Sequence, residues 1–348
     1  MGSNYQQLQE VLDKAVDRNK VFGTSFCIRH GGNEWCGASG DLEVNQQYFI
    51  ASTTKLFVTA AILKYRSVGL LSLDDGIGKH LPQHIISGLH VLKGKDHSED
   101  ITIRHLLAHT SGLPDYFQGK DGGGDSLEKL LKTNTDKQWD FEKALERSKM
   151  LTPPFAPGQA KKAHYSDTNF QLLGRIIEAI SGRSLQEVFI ELIFTPLGLE
   201  NTYLYADAKD RRPKAFYYKG LPLHIPKAMT SFGADGGIVS TSGEMMVFLE
   251  AFFNGRLFPV EYIEELQVWN RIFFPMQSGI GIHRFKLLRI FDPFGRMPEL
   301  IGHSGLSGAL AFCNPKRGLY VTGTVNQLAY PDTSFRLIIK LIQRVLRR

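Results

Sequence analysis

The sequence has no long hydrophobic run. Its 348 residues contain no apolar stretch near the roughly 20 residues that a membrane-spanning helix requires, so we expect no membrane span. The first residues also lack the charged-then-apolar pattern of a signal peptide. The sequence as it stands therefore predicts a cytoplasmic protein, and a periplasmic or secreted one if a leader preceded Met1.

Cysteine is scarce, since the chain has Cys27, Cys36 and Cys313 alone. Three cysteines are too few for a disulfide framework, and neither they nor the scattered histidines have metal-ligand spacing. Cys27 and Cys36 flank Gly31-Gly32 symmetrically, so a two-residue hairpin turn would place them opposite each other, close enough to bridge. Of the two states, we favour a pair of reduced strand cysteines.

Clustered positive charge is also missing. The formal net charge is +6, but the lysines and arginines are spread along the chain and form no basic arm with interleaved aromatic residues. This pattern argues against nucleic-acid binding. With 43% hydrophobic residues, the chain can bury a large core and has the composition of an ordinary globular protein.

Hydrophobic periodicity predicts strands at both ends of the chain and helices between them. Residues 4–18 have helical spacing, and extended segments separated by glycine turns follow. Residues 71–223 are helical and rich in loops, whereas strand patterns such as 279–285 return later and an amphipathic helix covers 334–346. We therefore predict an α/β (α+β) fold with one antiparallel sheet flanked by helices. The expected domains are a discontinuous sheet domain, 1–70 and 225–348, and an inserted helical domain, 71–224.

The stretch Ser52-Thr53-Thr54-Lys55 pairs a hydroxyl with an amine three residues later. On a helix this spacing puts both groups on one face, so the serine can carry its own base. An extended run precedes Ser52, and residues 56–63 are apolar on every side, which predicts a buried central helix. Burial should lower the pKa of Lys55, and a neutral amine can accept the serine proton.

A Ser-x-x-Lys match alone is weak, because about one is expected by chance in a chain of this size. Ser126-Leu127-Glu128-Lys129 fits the same template. It follows the three glycines within 120–125, which predict a flexible surface loop, and it begins a helix. We therefore interpret Ser126 as a helix N-cap and Lys129 as a solvated side chain.

Two further segments accompany Ser52 in order along the chain. Tyr165-Ser166-Asp167 precedes a helix, and His303-Ser304-Gly305 ends a strand pattern. With Ser52 and Lys55 they resemble the motifs of class C β-lactamases, the related D-alanyl-D-alanine peptidases and the β-lactamase-like esterases. The resemblance covers most of residues 20–330, since further stretches are similar to family segments: 106–113, 195–199 and 236–241. It implies a β-lactamase/transpeptidase-like fold with the active site in a cleft beside an all-helical insert.

The resemblance also implies roles for single residues. Ser52 would be the acylated nucleophile and Lys55 its base. Tyr165 would be a proton relay, and His303 a catalytic residue where many members have lysine. The resemblance gives a substrate-binding set at the end of the later strand, namely Ser304, Gly305 and Leu306. The backbone N–H groups of Ser52 and Leu306 would form the oxyanion hole. This mechanism requires no metal, and we expect no cofactor.

Asp167 departs from the family's Tyr-x-Asn. An ionised aspartate only accepts hydrogen bonds, so in the cleft it would repel a substrate carbonyl that an asparagine amide binds. Asp167 is also a competent N-cap for the following helix, and this second interpretation stays open. We interpret four other polar residues as structural groups that hold loops: His109, Ser111, Asp115 and Asp235.

The predicted function is acyl transfer through an ester on Ser52 that water resolves. The expected substrates are esters or D-amino-acid peptide or amide (β-lactam-like) compounds, and because of Asp167 we favour an esterase or a D-amino-acid-type peptidase over an efficient β-lactamase. The alternative is a weakly catalytic receptor of the same fold that binds penicillin or a cell-wall fragment. The expected partner is a small-molecule or short-peptide substrate, and the sequence does not indicate an oligomeric state.

Overall fold

A computed structural model describes residues 2–120, 124–273, 275–287, 290, 297–330 and 332–346. Residues 121–123, which include two of the three glycines on which the flexible-loop prediction rests, lie outside these residues. The strands are β1 Gly23–His30, β2 Asn33–Gly40, β3 Tyr48–Phe49, β4 Val91–Leu92, β5 Lys95–Asp96, β6 Tyr203–Leu204, β7 Tyr217–Tyr218, β8 Leu221–Pro222, β9 Ile238–Ser240, β10 Asn270–Phe273, β11 Met276–Ser278, β12 His283–Phe285, β13 Leu300–Ser304, β14 Ala309–Asn314 and β15 Leu319–Thr324. The helices are α1 Gly2–Asp13, α2 Thr54–Ser67, α3 Gln83–Ile86, α4 Ile103–Leu107, α5 Leu127–Lys132, α6 Phe141–Lys149, α7 Asp167–Ser181, α8 Leu185–Phe189, α9 Thr195–Leu197, α10 Pro226–Met229, α11 Ser242–Phe253, α12 Tyr262–Glu265 and α13 Asp332–Leu346.

The main sheet joins both ends of the chain, as the sequence predicts. Its strand order is β10-β11-β12-β13-β14-β15-β1-β2. The junction is the antiparallel pair β1 and β15, which runs from Ser25↔Thr324 to His30↔Leu319. The predicted strand 279–285 is shorter in the structure, because Gly279 donates its N–H to the carbonyl of Ile282 in a turn between β11 and β12.

Alternation along the central strands gives the sheet two apolar faces. Phe26, Phe312 and Val321 pack with the terminal helices α1 and α13 on one face, whereas Cys27 and Ala311 join a core with α2 and α11 on the other. A sheet buried on both faces is rigid, so its strand ends can hold side chains in fixed positions. None of the helices in the described part of the chain combines the length and the apolar composition of a membrane span.

Helix α1 ends at Asp13, five residues before the predicted end of residue 18. The cause is Asp17, whose Oδ1 accepts hydrogen bonds from the backbone N–H groups of Asn19, Lys20 and Val21. An aspartate that binds the backbone N–H groups following it stabilises a turn instead of a further helical turn.

The β1–β2 hairpin corrects the prediction of reduced cysteines. His30 pairs with Asn33 across the two-residue turn Gly31-Gly32, and both glycines have positive φ angles, 56° and 79°. This register sets Cys27 opposite Cys36 with their Cα atoms 4.1 Å apart, and the two are joined by a disulfide. Such a short distance is typical of a non-hydrogen-bonded antiparallel pair, where side chains lie closest. The predicted hairpin geometry is therefore confirmed, whereas the predicted thiols are wrong.

The region 71–224 carries most of the short helices. It also contains two-residue strands, including the pairs β4–β5 and β7–β8, and β6 pairs with β9 in a small sheet that includes β3. One hydrophobic cluster runs through α2, α4, α7, α8 and α11 and so includes residues from both predicted domains. The boundaries at 70 and 224 stay a prediction.

Candidate active site

Ser52 lies where a strand changes into a helix. Strand β3 ends at Phe49, a 3₁₀ turn covers Ala51–Thr53, and α2 begins at Thr54. Ala51 has a φ of +47°, a left-handed conformation that costs a non-glycine residue about 1 kcal/mol. This sharp turn puts Ser52 in the first turn at the N-terminal end of a buried helix, where the helix dipole favours negative charge.

The end of β13 packs directly against this turn. A Cβ atom on Gly305 would lie 2.5 Å from the carbonyl oxygen of Ile50 and 3.1 Å from the backbone nitrogen of Ser52, so only glycine fits. Ser307 Oγ donates a hydrogen bond to the carbonyl of Phe49 at 2.9 Å. Within the described residues, the N–H groups of Ser52 and Leu306 donate to no other group. Both predicted oxyanion donors are therefore unused, and both residues line the same cavity.

Two side chains donate hydrogen bonds to Ser52 Oγ. The Tyr165 hydroxyl lies 2.8 Å away and Lys55 Nζ lies 3.2 Å away. Burial, followed by the nearby Asp167, raises the pKa of Tyr165, so this phenol is neutral. Its ring stacks on His109 with centroids 4.5 Å apart. The structure thus brings together three of the four predicted catalytic residues.

Lys55 corrects the prediction of a lowered lysine pKa. Its side chain is 0% exposed, and burial alone would lower the pKa, but the charge and hydrogen bond of Asp167 oppose burial, and the pKa of Lys55 is raised. Lys55 Nζ lies 2.6 Å from Asp167 Oδ1 and 2.6 Å from the backbone oxygen of Asp235. The resting lysine is therefore an ammonium, because a buried charge next to an opposite charge is retained.

Asp167 is not the N-cap of α7. Ser166 occupies that position, and Asp167 is the first helical residue. The Asp167 side chain is directed instead at Lys55 and lines the cavity beside Ser52. Of the two interpretations left open by the sequence, the structure has Asp167 facing the cleft, where its charge is compensated by an ion pair that the sequence does not reveal.

The four residues interpreted as structural do hold loops, and two of them also support the site. His109 Nδ1 accepts from the backbone N–H of Ser166, Ser111 Oγ from that of Leu113, and Asp115 Oδ1 from that of Phe117. Asp235 differs, because its carboxyl accepts from the Tyr116 hydroxyl while its backbone oxygen binds Lys55. Tyr165 and Lys55 are therefore positioned by His109 and Asp235.

His303 lies beside the site rather than on its surface. It is 1% exposed, its ring stacks on His283 with centroids 3.9 Å apart, and its Nδ1 lies 2.8 Å from the carbonyl of Ser304. Burial, followed by His283 and Lys55, lowers its pKa, so His303 is neutral. Among the described residues, the cavity lining includes His283 but not His303. A catalytic role for His303 stays a prediction.

A cavity of about 320 Å³ opens beside Ser52. Ser304, Gly305 and Leu306 all line it, as predicted for a substrate-binding set. The wall is mostly apolar and comes from four elements and the loops near them: Phe117, Leu131, Phe216, Met229, Phe232 and Leu306. A concave apolar pocket with a few polar groups is typical of a small-molecule site.

The second Ser-x-x-Lys stretch has the predicted structural role. Ser126 is the N-cap of α5, and its Oγ accepts the backbone N–H of Lys129 at 3.2 Å. The Lys129 side chain is 57% exposed and forms an ion pair with Asp125.

Sequence reasoning missed three contributors to the site. His283 lines the cavity and stacks on His303, Asp235 binds Lys55 through its backbone, and Phe273 reaches the cavity from β10. Backbone contacts carry no residue signature, so Asp235 had no signal for this role. His283 lies within a stretch predicted as a strand, but the register sets it opposite Gly302 and not opposite His303, so alternation alone would not have placed it beside His303.

The chain is similar in sequence and in structure to hydrolases of known or assigned type. A putative D-alanyl-D-alanine carboxypeptidase of Escherichia coli K12 is 26% identical over 303 residues, which are 77% of this chain and 66% of that protein. The chain thus spans just under two thirds of the length of this relative. A D-stereospecific amidohydrolase from Streptomyces sp. is 25% identical with a TM-score of 0.78, covering 96% of this chain and 97% of that one.

A D-amino acid amidase from Ochrobactrum anthropi SV3, 21% identical, has a TM-score of 0.81 over 99% of this chain and 98% of that one. This likeness shows a shared fold, the β-lactamase/transpeptidase-like arrangement that the sequence predicts. The family match itself runs from residue 8 to residue 342. By this match the chain belongs to the Beta-lactamase family.

Proposed function

We propose that this protein is a serine hydrolase that forms an acyl-enzyme on Ser52. The reaction has two steps, in which Ser52 Oγ attacks an ester or amide carbonyl and water then hydrolyses the resulting ester. Lys55 in its neutral form accepts the Ser52 proton, and Tyr165 passes a proton between the nucleophile and the leaving group.

The observation that carries this proposal is the shared contact of Tyr165 and Lys55 with Ser52 Oγ. Distances of 2.8 Å and 3.2 Å are within hydrogen-bond reach of a nucleophile and its proton-transfer partners. The unused N–H groups of Ser52 and Leu306 are suited to an oxyanion, because fixed donors stabilise the charge that develops on an attacked carbonyl. Neutral His303, buried behind the strand end, supports Ser304 through its hydrogen bond to the Ser304 carbonyl.

For the substrate we propose an ester or amide of a small acyl group with an apolar side chain, such as a D-amino-acid derivative. The apolar wall formed by Phe117, Met229 and Phe232 supports an apolar acyl group, since burying a large apolar side chain contributes about 1.5–3 kcal/mol. The D-amino-acid type is supported by the amidohydrolase and amidase among the structural neighbours. Asp167 is engaged by Lys55, so it does not by itself disfavour β-lactams.

The test compares the two serines of the chain. Wild type should hydrolyse p-nitrophenyl acetate, Ser52→Ala should lose at least about 10³-fold in kcat, and the matched control Ser126→Ala should keep wild-type kcat. Turnover that survives in Ser52→Ala would remove Ser52 as the nucleophile.

One observation favours a second candidate, the weakly catalytic receptor. The ion pair with Asp167 keeps Lys55 protonated, and a protonated lysine cannot activate water for deacylation at neutral pH. Intact-mass measurement after incubation with a penicillin, an acyl-D-Ala-D-Ala peptide and p-nitrophenyl esters separates the candidates. A hydrolase returns to its unmodified mass within minutes, whereas a receptor retains the added acyl mass on Ser52.

A further inference from the structure

Lys55 Nζ contacts three oxygen atoms that differ in chemistry. Asp167 Oδ1 and the backbone oxygen of Asp235 each lie at 2.6 Å, and Ser52 Oγ lies at 3.2 Å. A carbonyl oxygen and an ionised carboxylate can only accept hydrogen bonds, whereas a hydroxyl can also donate. Both short contacts therefore require an N–H group of Lys55, whatever its protonation state.

These two contacts determine what Lys55 Nζ presents to Ser52 Oγ, which is an N–H group or a lone pair. An ammonium has three N–H groups, one for each acceptor, whereas a neutral amine has two N–H groups and one lone pair. Because Asp167 and Asp235 retain two N–H groups, the lone pair of the neutral amine points at Ser52 Oγ. The same two contacts thus hold Lys55 as a donor to Ser52 at rest and as an acceptor after one proton is lost.

The other ionisable groups around Lys55 have pKa values that burial shifts towards their neutral forms. Burial is the largest cause of the lowered pKa of the three neighbouring histidines, to about 3 for His283. Burial, followed by Asp167, raises the pKa of the two carboxyls and the phenol. These groups come from the loops after α4 and before α7, from β12 and β13, and from the turn before β9: His109, His283, His303, Asp115, Asp235 and Tyr165.

We propose that Asp167 is a positioning residue with two separable effects on Lys55. Its oxygen aims Lys55 at Ser52, and its charge keeps Lys55 protonated, so acyl transfer begins at a higher pH than a lone buried lysine would allow. The inference rests on the proposed function, since it takes Ser52 as nucleophile and Lys55 as base.

The proton balance of the acylation step defines what is measured. The Ser52 Oγ–H proton moves to the lone pair of Lys55, Oγ bonds to the acyl carbon, and the bond from that carbon to the leaving group breaks. The leaving group receives the proton from the Lys55 ammonium through Tyr165. The step requires neutral Lys55, so the acid limb of kcat/KM follows the ionisation of this lysine.

The test is the volume-matched variant Asp167→Asn, which keeps an oxygen that can accept from Lys55 but loses the charge. We expect the acid limb of kcat/KM for p-nitrophenyl acetate, with Ser52→Ala as blank, to move to lower pH by at least about one pH unit. A move of one pH unit raises kcat/KM at pH 7 about tenfold. Asp167→Ala, which also removes the oxygen, should have a lower plateau than Asp167→Asn.

Asp115→Asn is the matched control, because Asp115 is a buried carboxyl near Asp167 that does not contact Lys55. Its acid limb should coincide with that of wild type. The inference is wrong if Asp167→Asn keeps the wild-type limb. It is also wrong if this variant melts like wild type but is inactive at every pH, since Asp167 would then be the final proton acceptor.

A second measurement is independent of turnover. In protein labelled with ¹³C at lysine Cε, the Lys55 signal, assigned by its absence in Lys55→Met, is titrated by NMR. Wild-type Lys55 should stay protonated up to a higher pH than Lys55 of Asp167→Asn. Equal titration of the two would contradict the inference even if the ester is not a substrate, whereas a lower titration midpoint in Asp167→Asn without ester turnover would contradict only the proposed function.

Discussion

Ser52 and Ser126 each begin a Ser-x-x-Lys stretch, and the structure gives them different surroundings. Ser52 follows a strained turn at the start of a buried helix, and the Lys55 side chain is 0% exposed and paired with Asp167. Ser126 caps a six-residue helix at the surface, and the Lys129 side chain is 57% exposed.

The hydrogen bonds of the two hydroxyls explain what this difference means. Ser126 Oγ accepts the backbone N–H of Lys129 and so caps the helix. The Lys129 side chain extends into solvent. Ser52 Oγ accepts from the side chains of Tyr165 and Lys55, and no backbone group of α2 uses it. The same Ser-x-x-Lys sequence thus stabilises a helix N-terminus at Ser126, whereas at Ser52 it lies among proton-transfer groups. Burial of the lysine and side-chain partners distant in sequence, rather than the motif, separate the two stretches.

The largest expected difference between the stretches is at their lysines. Lys55→Met should reduce kcat by at least about 10³-fold and should cost about 3–5 kcal/mol of unfolding free energy, because it leaves Asp167 buried without its partner. Lys129→Met should change the unfolding free energy by less than about 1 kcal/mol, since exposed ion pairs contribute little. Ester kinetics and urea denaturation measure both effects, and equal losses in the two variants would contradict the comparison.

A smaller difference should come from Tyr165, which has no counterpart beside Ser126. Tyr165→Phe removes the hydroxyl that lies 2.8 Å from Ser52 Oγ while keeping the ring that stacks on His109. We expect kcat/KM to fall about 10²-fold, the contribution typical of a positioned proton-transfer group, with little change in the urea midpoint.

The control for this variant is Tyr262→Phe, which retains the ring that packs under Arg66 and lies outside the cavity lining. It should keep wild-type kcat/KM. If Tyr165→Phe behaves in the same way, Tyr165 has no part in proton transfer and only packs.

Much of the fold follows from local sequence patterns. The largely apolar runs 309–314 and 319–324 predict strands where the structure has β14 and β15, and Gly182, in the left-handed conformation, ends α7 as a glycine commonly does. Ser184 with Glu187 forms a capping box that is also visible in the sequence. These features depend on residues within a few positions of one another, so single-sequence reasoning reaches them.

The electrostatics of the site do not follow from local patterns. Lys55 and Asp167 are 112 positions apart, and their ion pair reverses the direction of the lysine pKa that burial alone predicts. Asp235 acts through its backbone oxygen 180 positions away, which no side-chain type could indicate. The state of Cys27 and Cys36 was also missed, although their register was predicted, because the sequence carries no sign of the redox environment.

The smallest expected effect is on thermal stability, where Ser126→Ala should have a larger effect than Ser52→Ala. Ser126→Ala removes an N-cap, which should cost about 1 kcal/mol of unfolding free energy and about 2 °C or less in Tm for a chain of this length. Ser52→Ala removes no cap, because the N-cap position of α2 is Thr53 and Ser52 Oγ accepts from the side chains of Tyr165 and Lys55, so its Tm should equal or exceed that of wild type. Thermal unfolding and ester kinetics should therefore be measured for both variants. Ser126→Ala should lower Tm without changing kcat, and Ser52→Ala should lower kcat without lowering Tm. A Tm loss in Ser52→Ala larger than that in Ser126→Ala would mean that Ser52 contributes to the fold, and the contrast between the two stretches would then be one of degree.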